Sequence, residues 1–127
     1  MKKVEQHLPT NAEVNQFLML RELVTGLYEE MKDLTKKSSK ETLNEFKIKS
    51  LNRVLKPLRE LLKDQPTAMF LDLLEDDSLP TNSDVVIVLS QYLSAMKKYE
   101  ERYYRASPGT FTKRWNTKEN PMTNNKE

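Results

Sequence analysis

The chain has 127 residues, with 21 Lys and Arg against 19 Asp and Glu, and a formal net charge of +2. This length suits one domain, and the lack of cysteine excludes disulfides, thiolate metal sites and cysteine nucleophiles. The two glycines are too few for a glycine-rich phosphate loop, and no apolar run approaches the roughly 18 residues of a membrane span.

Scarce glycine and apolar residues spaced three and four apart predict an all-α chain. We expect a small bundle of four to five helices over residues 10–105. Residues 1–9 are expected to form a flexible N-terminus without the apolar core of a signal peptide, which predicts a cytoplasmic protein. Residues 106–127 lack periodicity and are rich in Thr, Asn and Lys. We expect them to form an irregular basic and aromatic tail, either disordered or ordered by a partner.

The first helix is expected over residues 11–34. Thr10 and Glu13 form a capping-box pair at its start, because the Thr10 hydroxyl can accept from the Glu13 amide while the Glu13 side chain reaches back. Its apolar side chains recur at steps of three and four, which places them on one face. This stripe consists of Phe17, Leu20, Val24, Leu27, Met31 and Leu34.

A second helical region follows a cap signature formed by Ser38 and Glu41. Pro57 lies inside its leucine pattern. Because proline removes a backbone donor and clashes with the preceding turn, we expect a kinked helix or two helices, 41–55 and 57–63.

Two more helices are expected, over residues 67–75 and 83–105. The first of these is short and apolar and ends among acidic residues. The second begins with the β-branched run Val85-Val86-Ile87-Val88, which locally favours a strand. Helical spacing nevertheless continues through this run into a row of tyrosines, so we predict a helix.

Charge is unevenly distributed, since residues 32–63 carry a net charge of +6 and residues 64–84 carry −6. Three interpretations of the basic residues stay open: a solvated face, a surface that binds phosphates or an acidic partner, and pairing with the acids of residues 72–77. Glu45 and Glu60 can also pair with Lys49 and Lys56 at i,i+4. We define the basic stripe as Lys49, Arg53, Lys56, Arg59 and Lys63.

Apolar residues beside the main stripes are candidates for a protein interface. A bundle this small leaves one side of the first helix without cover, which favours a partner helix or self-association. The tyrosines of the last helix continue its apolar stripe, so core packing is the first interpretation. Tyrosine is also common at interfaces. The interface candidates are therefore Leu18, Met19, Leu23, Tyr99, Tyr103 and Tyr104.

The tail segment Phe111-Thr112-Lys113-Arg114-Trp115 places the only tryptophan beside two cations. Such a segment can stack on bases, lie on an anionic membrane or insert an aromatic anchor into a partner. The alternatives are a frayed C-terminus and a tryptophan docked on its own bundle. We add Phe111 and Trp115 to the partner-binding candidates. Lys113 and Arg114, together with the basic stripe, are the nucleic-acid-binding candidates.

Two acidic clusters, at residues 29–33 and 72–76, have the i,i+3 spacing that suits magnesium ligands. In this spacing they resemble the carboxylate helices of all-α nucleoside-triphosphate pyrophosphohydrolases, although the denser Glu pattern of that family is missing. The resemblance implies a magnesium-dependent nucleotide hydrolase. The only histidine, His7, has no serine fixed near it. We therefore predict no catalytic residue, no metal site and no cofactor.

The sequence favours a non-enzymatic protein–protein interaction module, such as an adaptor, an inhibitor or an accessory subunit of a larger assembly. Its partner would be another protein or a second copy of the chain. The first alternative is a nucleic-acid-binding accessory protein that uses the basic stripe and the tail. The second is the magnesium-dependent hydrolase.

Overall fold

The computed structural model describes residues 7–75 and 77–122. These residues form three α-helices, one short 3₁₀ helix and a two-stranded antiparallel sheet. The prediction of a mostly helical chain is confirmed, but the predicted count of four to five helices is wrong. The elements are α1 (Asn11–Ser38), α2 (Glu45–Leu61), the 3₁₀ helix (Pro66–Phe70), α3 (Asn82–Tyr103), β1 (Tyr104–Ala106) and β2 (Lys113–Trp115).

Both long helices begin at capping boxes. Thr10 Oγ1 accepts a hydrogen bond from the Glu13 amide at 3.1 Å, and Glu13 Oε1 accepts from the Thr10 amide at 2.9 Å. Thr81 and Asp84 exchange the same two hydrogen bonds at the start of α3. These bonds satisfy amides that have no partner inside the helix, so each start is fixed locally.

Helix α2 begins at Glu45, not at residue 41 as predicted, because Asn44 provides the cap: its Oδ1 accepts from the Lys47 amide at 2.8 Å. The residues before it are extended and lie beside the start of α3. There the Leu43 amide donates to the Pro80 carbonyl at 2.9 Å. This pairing between distant segments competes with helix formation, and the sequence pattern does not show it.

Pro57 lies inside a continuous α2, so the predicted division into two helices is wrong. Proline in a helix interior costs about 3 kcal/mol. On either side of it Leu55 and Leu58 are completely buried, and burial of each leucine contributes about 1.5–3 kcal/mol. The buried stripe therefore outweighs the proline and holds both halves of α2 in one helix.

The helix predicted over residues 67–75 is also wrong, because the chain becomes extended after the 3₁₀ helix ends at Phe70. Side chains of α2 satisfy the backbone of this extended segment. Asn52 Nδ2 donates to the Leu74 carbonyl at 2.8 Å, and Asn52 Oδ1 accepts from the Leu74 amide at 3.0 Å. These contacts replace the hydrogen bonds that a helix would make.

The last helix ends at Tyr103, where the chain turns into a β-hairpin instead of the predicted irregular tail. In the antiparallel pairing Tyr104 lies opposite Trp115, Arg105 opposite Arg114, and Ala106 opposite Lys113. Gly109 in the connecting loop has a φ of 84°, a left-handed conformation that glycine adopts without strain.

The hydrophobic core lies where α2 and α3 pack on α1. Helix α3 runs antiparallel to α1, since Tyr99 contacts Phe17 near one end and Asn82 Nδ2 donates to the Ser38 carbonyl near the other. No helix in the described ranges is long and apolar enough to cross a membrane.

The predictions for the two chain ends fall partly on residues 1–6 and 123–127, which lie outside the described residues. The described N-terminal residues contact the end of α3, where the His7 carbonyl accepts a hydrogen bond from the Tyr103 hydroxyl at 2.8 Å. At the other end, the Lys118 amide donates to the Pro9 carbonyl at 2.9 Å, so the segment after β2 lies beside the start of α1.

Candidate functional site

Four aromatic side chains pack together where α1 begins and α3 ends. Phe17 stacks on Tyr99 with ring centroids 4.7 Å apart, and Trp115 meets the Phe17 ring edge-on at 5.6 Å. Tyr103 meets Tyr99 edge-on at 5.0 Å. We call Phe17, Tyr99, Tyr103 and Trp115 the aromatic cluster. Its members come from α1, α3 and β2 and contact one another within the same chain.

Three residues predicted to bind a partner, Tyr99, Tyr103 and Trp115, belong to the aromatic cluster. Tyr99 and Tyr103 are buried, and Trp115 is half-buried against the core. Core packing, the first interpretation of the tyrosines, is the one the structure bears out. Trp115 packs on its own bundle, one of the alternatives that the sequence left open, because pairing of β2 with β1 turns its ring onto α1 and α3.

The buried phenols have structural hydrogen bonds. The Tyr103 hydroxyl donates to His7 and accepts from Gln65 Nε2 at 3.1 Å. The Tyr92 hydroxyl donates to the Asp72 carbonyl at 2.8 Å. Burial raises the pKa of Tyr92 to about 12, and burial also raises the pKa of Tyr99 above its usual range. Tyr92 and Tyr99 therefore stay neutral at ordinary pH. The hydroxyls of Tyr92 and Tyr103 serve as donors to the backbone.

The flank of α1 that faces α2 is different, because its apolar residues reach the surface. Met19 and Leu23 are 56% and 48% exposed. Leu27 continues the row at the next i+4 position and is half-buried. Leu18, the third predicted residue on this helix, is half-buried against the core instead. The structure thus exposes two of the three α1 candidates.

Helix α2 adds a second apolar row to this flank. Phe46 is 77% exposed, and Val54 and Leu61 are half-buried. Intervals of eight and seven residues place these three side chains on one side of α2. We call the combined surface the open face; it consists of Met19, Leu23, Leu27 and Leu34 on α1 with Phe46, Val54 and Leu61 on α2.

A cavity of about 150 Å³ lies in the open face between α1 and α2. Leu27, Leu34 and Phe46 line it, and Leu51 also contributes a wall. An apolar cavity of about 150 Å³ can hold a ring the size of benzene. The cavity therefore has room for one bulky apolar side chain.

The two borders of the open face differ in charge. Beyond the α1 row lie the exposed acids Glu22, Glu30 and Asp33, together with Lys37. Beyond the α2 row lie the exposed residues Glu45, Lys49, Arg53 and Glu60. Both sets occupy the neighbouring helical rows at i−1 or i+3 from the apolar residues. The open face thus has a mainly acidic border on α1 and, on α2, a border whose central residues Lys49 and Arg53 are basic.

The residues of the basic stripe on α2 fall into two groups, those that have a partner within the chain and those that make no ion pair among the described residues. Arg59 Nε donates to the Leu71 carbonyl at 2.7 Å, and Lys63 Nζ pairs with Glu60 at 2.6 Å, which raises the pKa of Lys63. Lys49, Arg53 and Lys56 make no ion pair in the part of the chain that the structure describes. The predicted pairs Glu45–Lys49 and Glu60–Lys56 are therefore not formed.

The hairpin carries the other basic candidates. Arg114 donates to the carbonyls of Trp115 at 3.0 Å and Asn120 at 2.6 Å, so this guanidinium holds the segment after β2. Lys113 is exposed, with Nζ 6.0 Å from the centre of the Tyr104 ring. Phe111, in the loop between the strands, is fully exposed.

The acidic clusters of the hydrolase hypothesis are not brought together. Among the described residues no group of three or more His, Cys, Asp or Glu side chains could hold a metal ion, and Asp76 lies outside those residues. Glu29 and Asp33 are paired with Lys32 and Lys36 of their own helix, at 3.9 and 4.0 Å. His7 pairs with Asp64 at 3.0 Å, a contact between partly exposed side chains.

Sequence reasoning missed Phe46, the largest exposed apolar residue of the open face. The available signal is its position: it lies between Glu45 and Lys47 and off the leucine stripe of α2. An aromatic residue among charged neighbours on the polar side of an amphipathic helix has no place in that helix's core.

A scan against protein-family models and searches of curated proteins and of solved structures found no match to this chain.

Proposed function

We propose that this chain is a non-enzymatic protein–protein interaction module whose open face binds an amphipathic helix of another protein. The observation that carries the proposal is the exposed Phe46 beside an apolar cavity between α1 and α2. Apolar rows on two adjacent helices form a groove, and amphipathic helices bind such grooves with residues spaced i, i+3, i+4 and i+7.

The cavity gives the partner helix its anchor. Its volume of about 150 Å³ suits one Leu, Met or Phe side chain. Burying such a side chain contributes about 1.5–3 kcal/mol, whereas association costs at least about 4 kcal/mol. One anchor is therefore insufficient, and the partner must also cover Met19, Leu23 and Phe46.

The charged borders define the polar sides of the partner helix. Its edge over Glu30 and Asp33 should carry Lys or Arg, and its edge over Lys49 and Arg53 should carry Asp or Glu. A helix with the opposite arrangement would place like charges together. The borders thus favour one direction of the bound helix.

Site-specific photo-crosslinking in the native cells tests this proposal. A photoreactive phenylalanine analogue replaces Leu23, Phe46 or, as a matched control, Ile87, which is 58% exposed on α3 and outside the open face. We expect the same partner to be captured from positions 23 and 46 and not from position 87. Its contact helix, synthesised as a peptide, should bind at least tenfold more weakly to Phe46→Glu and with unchanged affinity to Ile87→Glu.

Three outcomes would overturn the proposal. Capture of a second copy of this chain, with twice its mass in light scattering, would show that the face is a homodimer interface. Equal capture from all three positions would show non-specific contact. Absence of any product from positions 23 and 46 would show that nothing docks there.

The basic stripe is a weaker nucleic-acid candidate than the sequence suggests, since Arg59 and Lys63 already have intramolecular partners. The hydrolase alternative has no cluster of carboxylates in the described residues to support it.

A further inference from the structure

The β-hairpin has an unusual charge composition. Residues 102–118 contain no Asp or Glu. Their cations are Arg102, Arg105, Lys113, Arg114 and Lys118. None of these five makes an ion pair within residues 7–75 and 77–122. The positive charge is confined to this segment, because Glu100, Glu101 and Glu119 lie directly beside it in the sequence.

The strand register places two of these cations on one face and Lys113 on the other. Arg105 lies directly opposite Arg114, and like charges in that position destabilise an antiparallel pair. Side chains alternate along a strand, so both arginines project from the face opposite to that of Tyr104 and Trp115. Carbonyl groups of the chain hold Arg114. An anion bound to this face would relieve the repulsion with Arg105.

The loop of the hairpin adds an aromatic surface. Phe111 is fully exposed, although phenylalanine is usually buried. Tyr104 is half-buried and lies below Lys113. Exposed aromatic rings placed among cations are the combination that binds bases and phosphates together in single-stranded nucleic acids.

We propose that the β-hairpin binds single-stranded nucleic acid, which crosses the hairpin loop from Arg105 on one face to Lys113 on the other, with one base stacked on Phe111. Arg102 and Lys118 add to the positive field around these contacts. This surface is separate from the open face, so the inference goes beyond the proposed protein–protein interaction and does not depend on it.

An anionic membrane fits the hairpin less well. The loop residues beside Phe111 are Ser107, Thr110 and Thr112, whose hydroxyl groups would lose hydrogen bonds in hydrocarbon. The Ser107 and Thr112 hydroxyl groups can donate to phosphate oxygens, whereas that of Thr110 already donates to the Ser107 carbonyl. A single phenylalanine between two threonines is a small membrane anchor but a sufficient platform for one base.

Fluorescence anisotropy of the full chain with labelled 20-nucleotide oligo-dT and oligo-U, at several salt concentrations, tests the inference. We expect the logarithm of the association constant to fall with the logarithm of the salt concentration, with a slope of about −2 to −3. About four free cations give this value on a single strand. Arg105→Glu with Lys113→Glu should lower the affinity at least tenfold. Phe111→Ala should lower it about tenfold through lost stacking. The two oligonucleotides distinguish DNA from RNA.

A matched control places the same charge change elsewhere, as Lys49→Glu with Arg53→Glu on α2, and should change the affinity less than twofold. The open-face variant Phe46→Glu should leave it unchanged, which separates this inference from the proposed function. All substituted positions are exposed, so circular dichroism and melting temperature should match the parent.

Four results would overturn the inference. They are no binding to either oligonucleotide at low salt, an equal loss in the α2 control, no loss in Phe111→Ala, and binding to phosphatidylserine-containing vesicles in place of the oligonucleotides. The last result would assign the hairpin to membranes.

Discussion

The two flanks of α1 differ in what covers their apolar side chains. Toward α3 and the hairpin, Phe17 is completely buried in the aromatic cluster. Toward α2, Met19, Leu23 and Phe46 remain exposed, and Phe46 lines a cavity. The residue types are similar on both flanks. What makes one set a core and the other a candidate interface is whether another part of the same chain lies over it.

The largest expected effect compares one phenylalanine from each flank. Phe17→Ala should lower the free energy of unfolding by about 3–5 kcal/mol, because it leaves a cavity between Tyr99 and Trp115. Phe46→Ala removes a ring that is already exposed and should change it by less than about 0.5 kcal/mol. Urea denaturation measures both values. Similar losses in the two variants would mean that the flanks are equally packed.

The second effect concerns pH and the buried Tyr92. Its pKa is raised to about 12 by burial, from 10.0 in an exposed tyrosine. The folded state therefore holds this proton more tightly than the unfolded chain, and the stabilisation is complete below pH 10. As pH rises from about 10 to 12 it is lost, by an amount on the order of 2 kcal/mol.

Tyr92→Phe isolates that contribution. The variant loses the hydrogen bond to the Asp72 carbonyl, which should cost about 1 kcal/mol at pH 7. Its free energy of unfolding should then fall less steeply than that of the parent above pH 10, as followed by urea denaturation at each pH. Parallel alkaline profiles for the two proteins would show that Tyr92 does not titrate in the folded state as proposed.

The smallest effect concerns Gly26, an exposed residue in the middle of α1. A Cβ atom at this position would meet nothing within 4 Å. Gly26→Ala should raise the free energy of unfolding by about 0.5–1 kcal/mol, because alanine restricts the unfolded chain and favours the helix. Thermal unfolding detects this gain. A loss of stability would mean that something else approaches α1 at this point.

Local pattern alone determined the long helices of this protein. The Thr10–Glu13 capping box and the three-and-four spacing define α1 and its buried stripe, and the same spacing predicts α3 despite its β-branched start. Such features depend on neighbours within a few residues, which the sequence shows directly. The exposure of Met19 and Leu23 also followed from their position beside that stripe.

Tertiary contacts decided the rest. Asn52 holds Leu74 in an extended segment where local propensity predicted a helix, and buried leucines keep α2 continuous through Pro57. Pairing of β1 with β2 directs Trp115 inward and leaves Phe111 outside. Each of these results depends on segments that are distant in sequence and adjacent in space. Side-chain hydrogen bonds and burial outweighed local propensity at these positions, and no local pattern encodes which segments meet.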